Sequence, residues 1–185
     1  MDKGADSYLR FLSGDESGMI EIIELYRDGL ILYINSFTKS IEEAEDIAED
    51  VFLKLLMKKP RYNGKASFKT WLYTIAGNLT KDYWRKNTRS NKVSLDSVAE
   101  LSDDEIELER MYLKEEQKIQ LHRSMKKLSP EYRQILWLVY FEDMSNKDAS
   151  KIVEKSVHTT GNLVYKARKA LKIQLERDGF IYENL

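Results

Sequence analysis

Apolar residues recur at intervals of three and four along most of this chain, a spacing that an α-helix satisfies and a strand does not. Ile23, Tyr26, Leu30, Tyr33 or Ile34, and Phe37 form one such stripe. Ala44, Ile47, Ala48, Val51, Phe52 and Leu55 form a second, which must stop before Pro60 because the residue preceding proline disfavours helix. Phe68, Trp71, Leu72, Ile75, Leu79 and Tyr83 form a third, expected to be core. With two prolines and eight glycines in 185 residues there is little turn punctuation for many short strands. Ser13-Gly14-Asp15 and Arg61-Tyr62-Asn63-Gly64-Lys65 read as breaks. From Asn87 to about Asp104 the period fails and polar residues dominate, so this stretch is expected to be a linker. A helix from about Glu105 to Lys127 follows, carrying Ile106, Ile119, Leu121, Met125 and Leu128. Ser129 and Pro130 then supply an N-cap and a first helical residue for a run through Tyr132, Ile135, Leu136, Val139 and Tyr140. Ser145, with Asp148 three residues on, caps a short helix to about Glu154, and a last helix runs from about His158 to Arg177. The expected fold is all-α: two small helical domains, 1–90 and 110–185, joined by an acidic linker at 91–109, with a helix-turn-helix in the C-terminal domain.

Charge is distributed unevenly. The net charge is −1, yet residues 61–92 carry eight basic and one acidic side chain, and residues 93–116 carry two basic and nine acidic. Residues 117–185 are basic again, thirteen against eight. Two basic blocks separated by an acidic one suit a polyanionic partner, although solvated helix faces would give the same count.

Several chemistries find no support. Without cysteine there is no disulfide scaffold, thiolate metal site or thiol nucleophile, which fits a cytoplasmic protein. His122 and His158 lack a histidine partner at metal-ligand spacing, so no metal is expected. Gly64-Lys65 fails as a phosphate loop, because Lys59 and Ala66 stand where glycine and Ser/Thr are required. The acidic cluster from Glu42 to Asp50 is spread around a helix and reads as a contact or solvated face. The N-terminal residues do not resemble a signal peptide, and the run Ile135–Phe141 is too short to span a membrane, so no membrane insertion is expected. No enzyme and no cofactor are expected.

Two faces remain that the core does not explain. At 100° per residue, Asp46, Asp50, Leu53 and Met57 fall on one stripe opposite Ala44, Ile47, Val51 and Leu55, which suits a partner protein. On the next helix Lys69, Asn78, Lys81, Asp82, Arg85 and Lys86 lie away from the apolar stripe, a charged face of the kind used by single-strand nucleic-acid binders.

The run from Phe68 to Lys86, Phe-x-x-Trp-Leu-x-x-Ile-Ala-x-Asn followed by basic residues, resembles the promoter-melting helix of extracytoplasmic-function (ECF) RNA polymerase sigma factors. Glu45–Lys54 resembles the segment with which that family grips the polymerase clamp, and Leu128–Arg133 resembles the opening motif of its second DNA-binding domain. The resemblance implies an alternative sigma factor, with core RNA polymerase and promoter DNA, duplex and melted, as partners and an anti-sigma factor as a further one. It implies polymerase contacts at Asp46, Glu49, Asp50, Leu53 and Met57, and a flipped minus-ten base near Tyr62, Asn63 and Lys65. In the second domain His158, Thr159, Asn162, Tyr165, Lys166 and Lys169 would face the minus-thirty-five element, while Thr160, Val164, Ala167 and Leu171 are buried. Two positions usually basic in the family are Gly161 and Leu163, which implies fewer contacts there, and a usual glycine is Glu154. The residues alone also admit a helix-turn-helix regulator that binds duplex DNA without polymerase, or a protein that only sequesters a partner.

Overall fold

The computed structural model describes residues 2–38, 40–90 and 116–179, and the regular secondary structure in those stretches is helical. The chain divides into two compact units, Met1–Leu95 and Asp96–Leu185.

In the first unit, α1 (Lys3–Leu12), α2 (Ser17–Asn35), α3 (Ile41–Lys58) and α4 (Phe68–Ser90) surround one core. α2 is the central element, packed on by α1, α3 and α4. Its second half is accordingly buried on all sides, from Leu30 to Ser36, while Ile23, Tyr26 and Phe37 of the expected stripe are half-buried. Gly18 permits the α1–α2 crossing, since a Cβ there would stand 2.1 Å from the carbonyl oxygen of Ser7. α3 follows its sequence pattern closely. Ser40 caps it by accepting from the amide of Glu43, and Ala44, Ile47, Ala48, Val51, Phe52 and Leu55 are all buried.

α4 departs from expectation twice. It continues through Asn87 to Ser90, into the stretch expected to be linker; residues 91–104 lie outside the described residues. Its core stripe is also rotated. Phe68 and Leu72 are buried, but Trp71, Ile75 and Leu79 are half-buried, and the rest of the buried arc is Thr70, Tyr73, Ala76, Gly77 and Thr80. The buried arc thus mixes the large Phe68, Leu72 and Tyr73 with the small or polar Thr70, Ala76, Gly77 and Thr80, and a stripe drawn through large apolar residues alone misses the second group.

The second unit contains α5 (Glu116–Lys126), α6 (Pro130–Leu136), α7 (Asn146–Val153) and α8 (Val157–Arg177). The expected N-terminal part of α5, with Ile106, lies outside the described residues. Ser129 caps α6 with Pro130 in its first turn, as the sequence suggested. The apolar run beyond it does not keep the expected phase. Trp137–Phe141 forms a π-helical turn, closed by the amide of Glu142 on the carbonyl of Trp137, which inserts one residue and shifts the buried face. Trp137 and Leu138 are therefore buried, whereas Tyr140, expected in the core, is 51% exposed.

α7 and α8 are joined by the turn Glu154–Ser156, with Ser145 and Ser156 capping the two helices. Glu154, in place of the family's glycine, adopts φ +57°. A side chain in the left-handed region costs on the order of 1 kcal/mol. Glu154→Gly is therefore expected to raise the thermal unfolding midpoint of this unit by a few degrees. A calorimetric scan checks it; an unchanged or lower midpoint would mean that the Glu154 side chain contributes more than its backbone costs.

No described helix is long and apolar enough to cross a membrane.

Candidate functional site

Three exposed surfaces collect the residues singled out from the sequence. The first is the outer face of α3. Asp46, Glu49, Asp50, Leu53 and Met57 are all exposed, within an arc of about 100° opposite the buried stripe. Leu53 is 51% exposed and Met57 78%, and Leu56, which the sequence reading missed, extends the same apolar surface at 36%. Leu56 flanks the acidic stripe rather than lying on it. Leu53, Leu56 and Met57, three and four residues apart, are neighbours on the helix and form one exposed apolar strip.

The second surface combines the α3–α4 connection with the outer face of α4. Tyr62 is half-buried: its hydroxyl donates to the carbonyl oxygen of Ala66 at 2.6 Å, and its ring lies 5.3 Å from that of Trp71. Burial, and then the negative charge of Asp2, push its phenol pKa upward. Asn63 and Lys65 are exposed at the tip, where Asn63 Oδ1 accepts from the amide of Lys65 at 3.1 Å and Gly64 takes φ +69°. Along α4, Asn78, Lys81, Asp82, Arg85 and Lys86 are exposed, with Asp82 and Arg85 paired to each other. Lys69 does not belong with them. It lies about 160° around the helix from Arg85, is half-buried, and rests 6.0 Å from the ring of Tyr73. The expectation that placed Lys69 on the basic face is corrected: its angular position is that of the core, and only its place in the first turn leaves it partly exposed.

These two surfaces adjoin. A groove of about 360 Å³ between α3 and α4 is lined by Ile47 and Asp50 on one side and Leu79, Asp82, Tyr83, Arg85 and Lys86 on the other. Asp50 of α3 thus shares one groove with Arg85 and Lys86 of α4 within the first unit.

The third surface lies in the second unit, where α7 and α8 form a helix-turn-helix. Ser156 caps α8 by accepting from the amide of Thr159 at 3.1 Å, and their hydroxyls are 2.8 Å apart. His158, Asn162, Tyr165 and Lys169 are exposed within an arc of about 60°, flanked by Thr159 and Lys166, which are also exposed. His158 Nδ1 and Asn162 Nδ2 are 3.5 Å apart on this face. On the opposite side Thr160 and Ala167 are buried as expected, and Val164 and Leu171 are half-buried.

Two positions need correction. Leu163, read as a missing basic contact, is buried and is part of the core. Gly161 is half-buried against the start of α7, where a Cβ would meet Asn146 Nδ2 at 3.7 Å. Of the two family positions, neither therefore projects fully from the exposed arc.

Comparison with known proteins agrees with this arrangement. Residues 22–90 match the family description Sigma-70 region 2, and residues 118–171 match Sigma-70, region 4. The chain is 26% identical over 170 residues to the ECF RNA polymerase sigma factor SigW of Bacillus subtilis, covering 88% of this chain and 91% of the relative. It is 27% identical over 157 residues to SigM of the same organism, an ECF RNA polymerase sigma factor, covering 85% and 94%. Among solved structures, the sigma factor RpoE of Bartonella quintana, in complex with the anti-sigma factor NepR, shares the fold with a TM-score of 0.68 at 23% identity, over 84% of this chain and 95% of that one. CnrH, in complex with the cytosolic domain of CnrY, gives 0.67 at 18% identity, over 96% and 98%. With a region 2 unit and a region 4 helix-turn-helix in one chain, and ECF relatives aligned over most of its length, the chain belongs to the ECF sigma factors, non-catalytic proteins that direct RNA polymerase to promoters.

Proposed function

We propose a division of labour among the three surfaces. The outer face of α3, through Asp46, Glu49, Asp50, Leu53 and Met57, binds core polymerase. The tip at Tyr62, Asn63 and Lys65, with Asn78, Lys81, Asp82, Arg85 and Lys86 of α4, receives the melted minus-ten strand. The exposed arc of α8, with His158, Thr159, Asn162, Tyr165, Lys166 and Lys169, enters the major groove at the minus-thirty-five element. What supports the reading most is the segregation on neighbouring helices: exposed acidic and apolar residues on α3, exposed basic and amide side chains on α4. A protein partner favours the first composition and a polyanion the second.

On this reading residues 1–90 and 110–185 act as separate binding domains. The acidic stretch 91–109, outside the described residues, crosses the polymerase near its nucleic-acid channel, and the protein works in the cytoplasm. Since RpoE of Bartonella quintana was solved with an anti-sigma factor, a protein inhibitor of that kind is a further proposed partner.

The test is promoter opening. Holoenzymes carrying Asn78→Ala or Lys81→Ala are expected to assemble normally on core polymerase but to form open complexes about tenfold less well, since each loses an interaction of about 1–3 kcal/mol with the strand. Open-complex formation is read from the fluorescence of a reporter base in the minus-ten element of a promoter selected by the wild-type holoenzyme from a randomised duplex pool. Normal opening by both variants would remove α4 from the proposal.

A further inference from the structure

Both ends of the connection between α3 and α4 are tied to α1, a helix that precedes residue 22, where the region 2 match begins. At one end the hydroxyl of Tyr8 donates to the carbonyl oxygen of Pro60 at 2.7 Å. At the other, the amide of Phe68, the first residue of α4, donates to Asp2 Oδ2 at 2.6 Å. The second oxygen of the same carboxylate accepts from the amide of Ala5 at 3.3 Å, so Asp2 caps its own helix while holding the start of α4.

Aromatic packing fills the space between the two anchors. The ring of Tyr8 lies 5.5 Å from Phe68 and 5.3 Å from Trp71, and the ring of Tyr62 lies 5.7 and 5.3 Å from the same pair. Gly4 lets α1 settle this closely, because a Cβ there would stand 2.5 Å from the Phe68 ring. Tyr8 is fully buried, and burial pushes its phenol pKa up to about 12, so the hydroxyl stays protonated as a donor at any physiological pH. The connection is thus fixed at its base and closed on itself by Tyr62, with Asn63, Gly64 and Lys65 exposed beyond the fixed part.

We infer that α1 is a positioning element for strand capture: Tyr8 and Asp2 hold the base of the 60–68 connection so that Asn63 and Lys65 meet an unstacked base already arranged. The inference rests on the proposed reading that this tip contacts the melted strand. Its physical content is preorganisation. A tip released at either anchor must be ordered when DNA binds, and that entropy is subtracted from affinity. Neither Tyr8 nor Asp2 needs to touch DNA.

The experiment uses holoenzyme reconstituted from core polymerase and the full chain. The probe is the promoter selected from a randomised pool, built as a heteroduplex whose minus-ten segment is unpaired, so that strand capture is measured apart from melting. Tyr8→Phe keeps the ring and removes only the hydroxyl. It is expected to lower affinity for the probe by about 3- to 10-fold, with core binding unchanged. Asp2→Ala, at the other anchor, is expected to act in the same direction. Lys65→Ala reports on the tip itself. Because Tyr8 acts through the tip, the Tyr8→Phe, Lys65→Ala double variant is expected to lose less than the product of the two single losses. A variant that merely loosened the fold would show multiplied losses instead.

Full affinity in Tyr8→Phe beside a weakened Lys65→Ala would overturn the positioning role and leave the tip reading standing. Multiplied losses would overturn it as well, by showing that the two residues act separately. Wild-type affinity in every variant would show that the tip does not meet the strand, and both readings would fall.

Discussion

Leu53→Asp is expected to weaken binding to core RNA polymerase by about 30-fold or more, the loss typical of a hot-spot side chain worth at least about 2 kcal/mol. The fold should hardly notice. Leu53 is 51% exposed and stands near the centre of the outer arc of α3, while Ala44, Ile47, Val51 and Leu55 on the opposite side are untouched. An aspartate in its place leaves a helix position open to solvent and changes helix propensity by only about 0.5 kcal/mol. At an interface the same change buries an unpaired charge where an apolar group was required. Fluorescence titration of labelled chain with core polymerase, alongside circular dichroism melting, separates the two effects. A folded Leu53→Asp that binds as tightly as the wild type would remove the outer face of α3 from the polymerase interface.

The largest stability effect is expected in the other unit. Trp137 is 1% exposed, stacks on Phe141 with ring centroids 4.3 Å apart and planes 3° from parallel, and meets His122 edge to face at 5.4 Å. Its indole N–H donates to the Glu142 carboxylate at 3.2 Å. Trp137→Ala removes the largest buried side chain of the unit and one donor to a buried carboxylate, a loss of about 3–5 kcal/mol before the hydrogen bond is considered. A small helical unit has little more than that in reserve. The melting transition of the second unit should fall by more than ten degrees or vanish while that of the first unit persists. Separate calorimetric transitions in the wild type and the variant would show it. A shift of only a degree or two would mean that the stacked rings are not the centre of this core.

What the sequence made legible was local. α3 could be read almost to the residue, because its stripe is continuous, its cap is a serine and a proline lies just beyond its end. The caps expected at Ser129 and Ser145 each form their hydrogen bond. The exposed arc on α8 lies where the resemblance implied, and its spacing is kept because that helix is regular from Val157 to Arg177.

Misreadings arose where tertiary packing broke the assumptions of a helical wheel. The π turn at Trp137 adds a residue that no periodicity argument anticipates, and Tyr140, at the end of the expected apolar run, is exposed while Trp137, outside that run, is buried. On α4 the buried arc includes Ala76, Gly77 and Thr80, whose small side chains carry little apolar signal. That rotation also moved Lys69 off the basic face. Leu163 was set aside as a lost basic contact although its position on α8 faces the core. The anchors at Asp2 and Tyr8 were illegible for a different reason: their partners are 66 and 52 residues away, and nothing local marks a carboxylate that caps two helices.

The most direct test of the central claim is transcription itself. Core polymerase is incubated with a pool of randomised duplex promoters and the full chain, and RNA 5′ ends are sequenced. The wild-type chain is expected to yield transcripts that begin a fixed distance downstream of shared minus-ten and minus-thirty-five motifs. Leu53→Asp should reduce all of them, and Lys81→Ala should reduce them without altering the motifs. Transcripts with no shared upstream motif, or motif-specific duplex binding by the chain alone with no transcription when polymerase is added, would contradict the account.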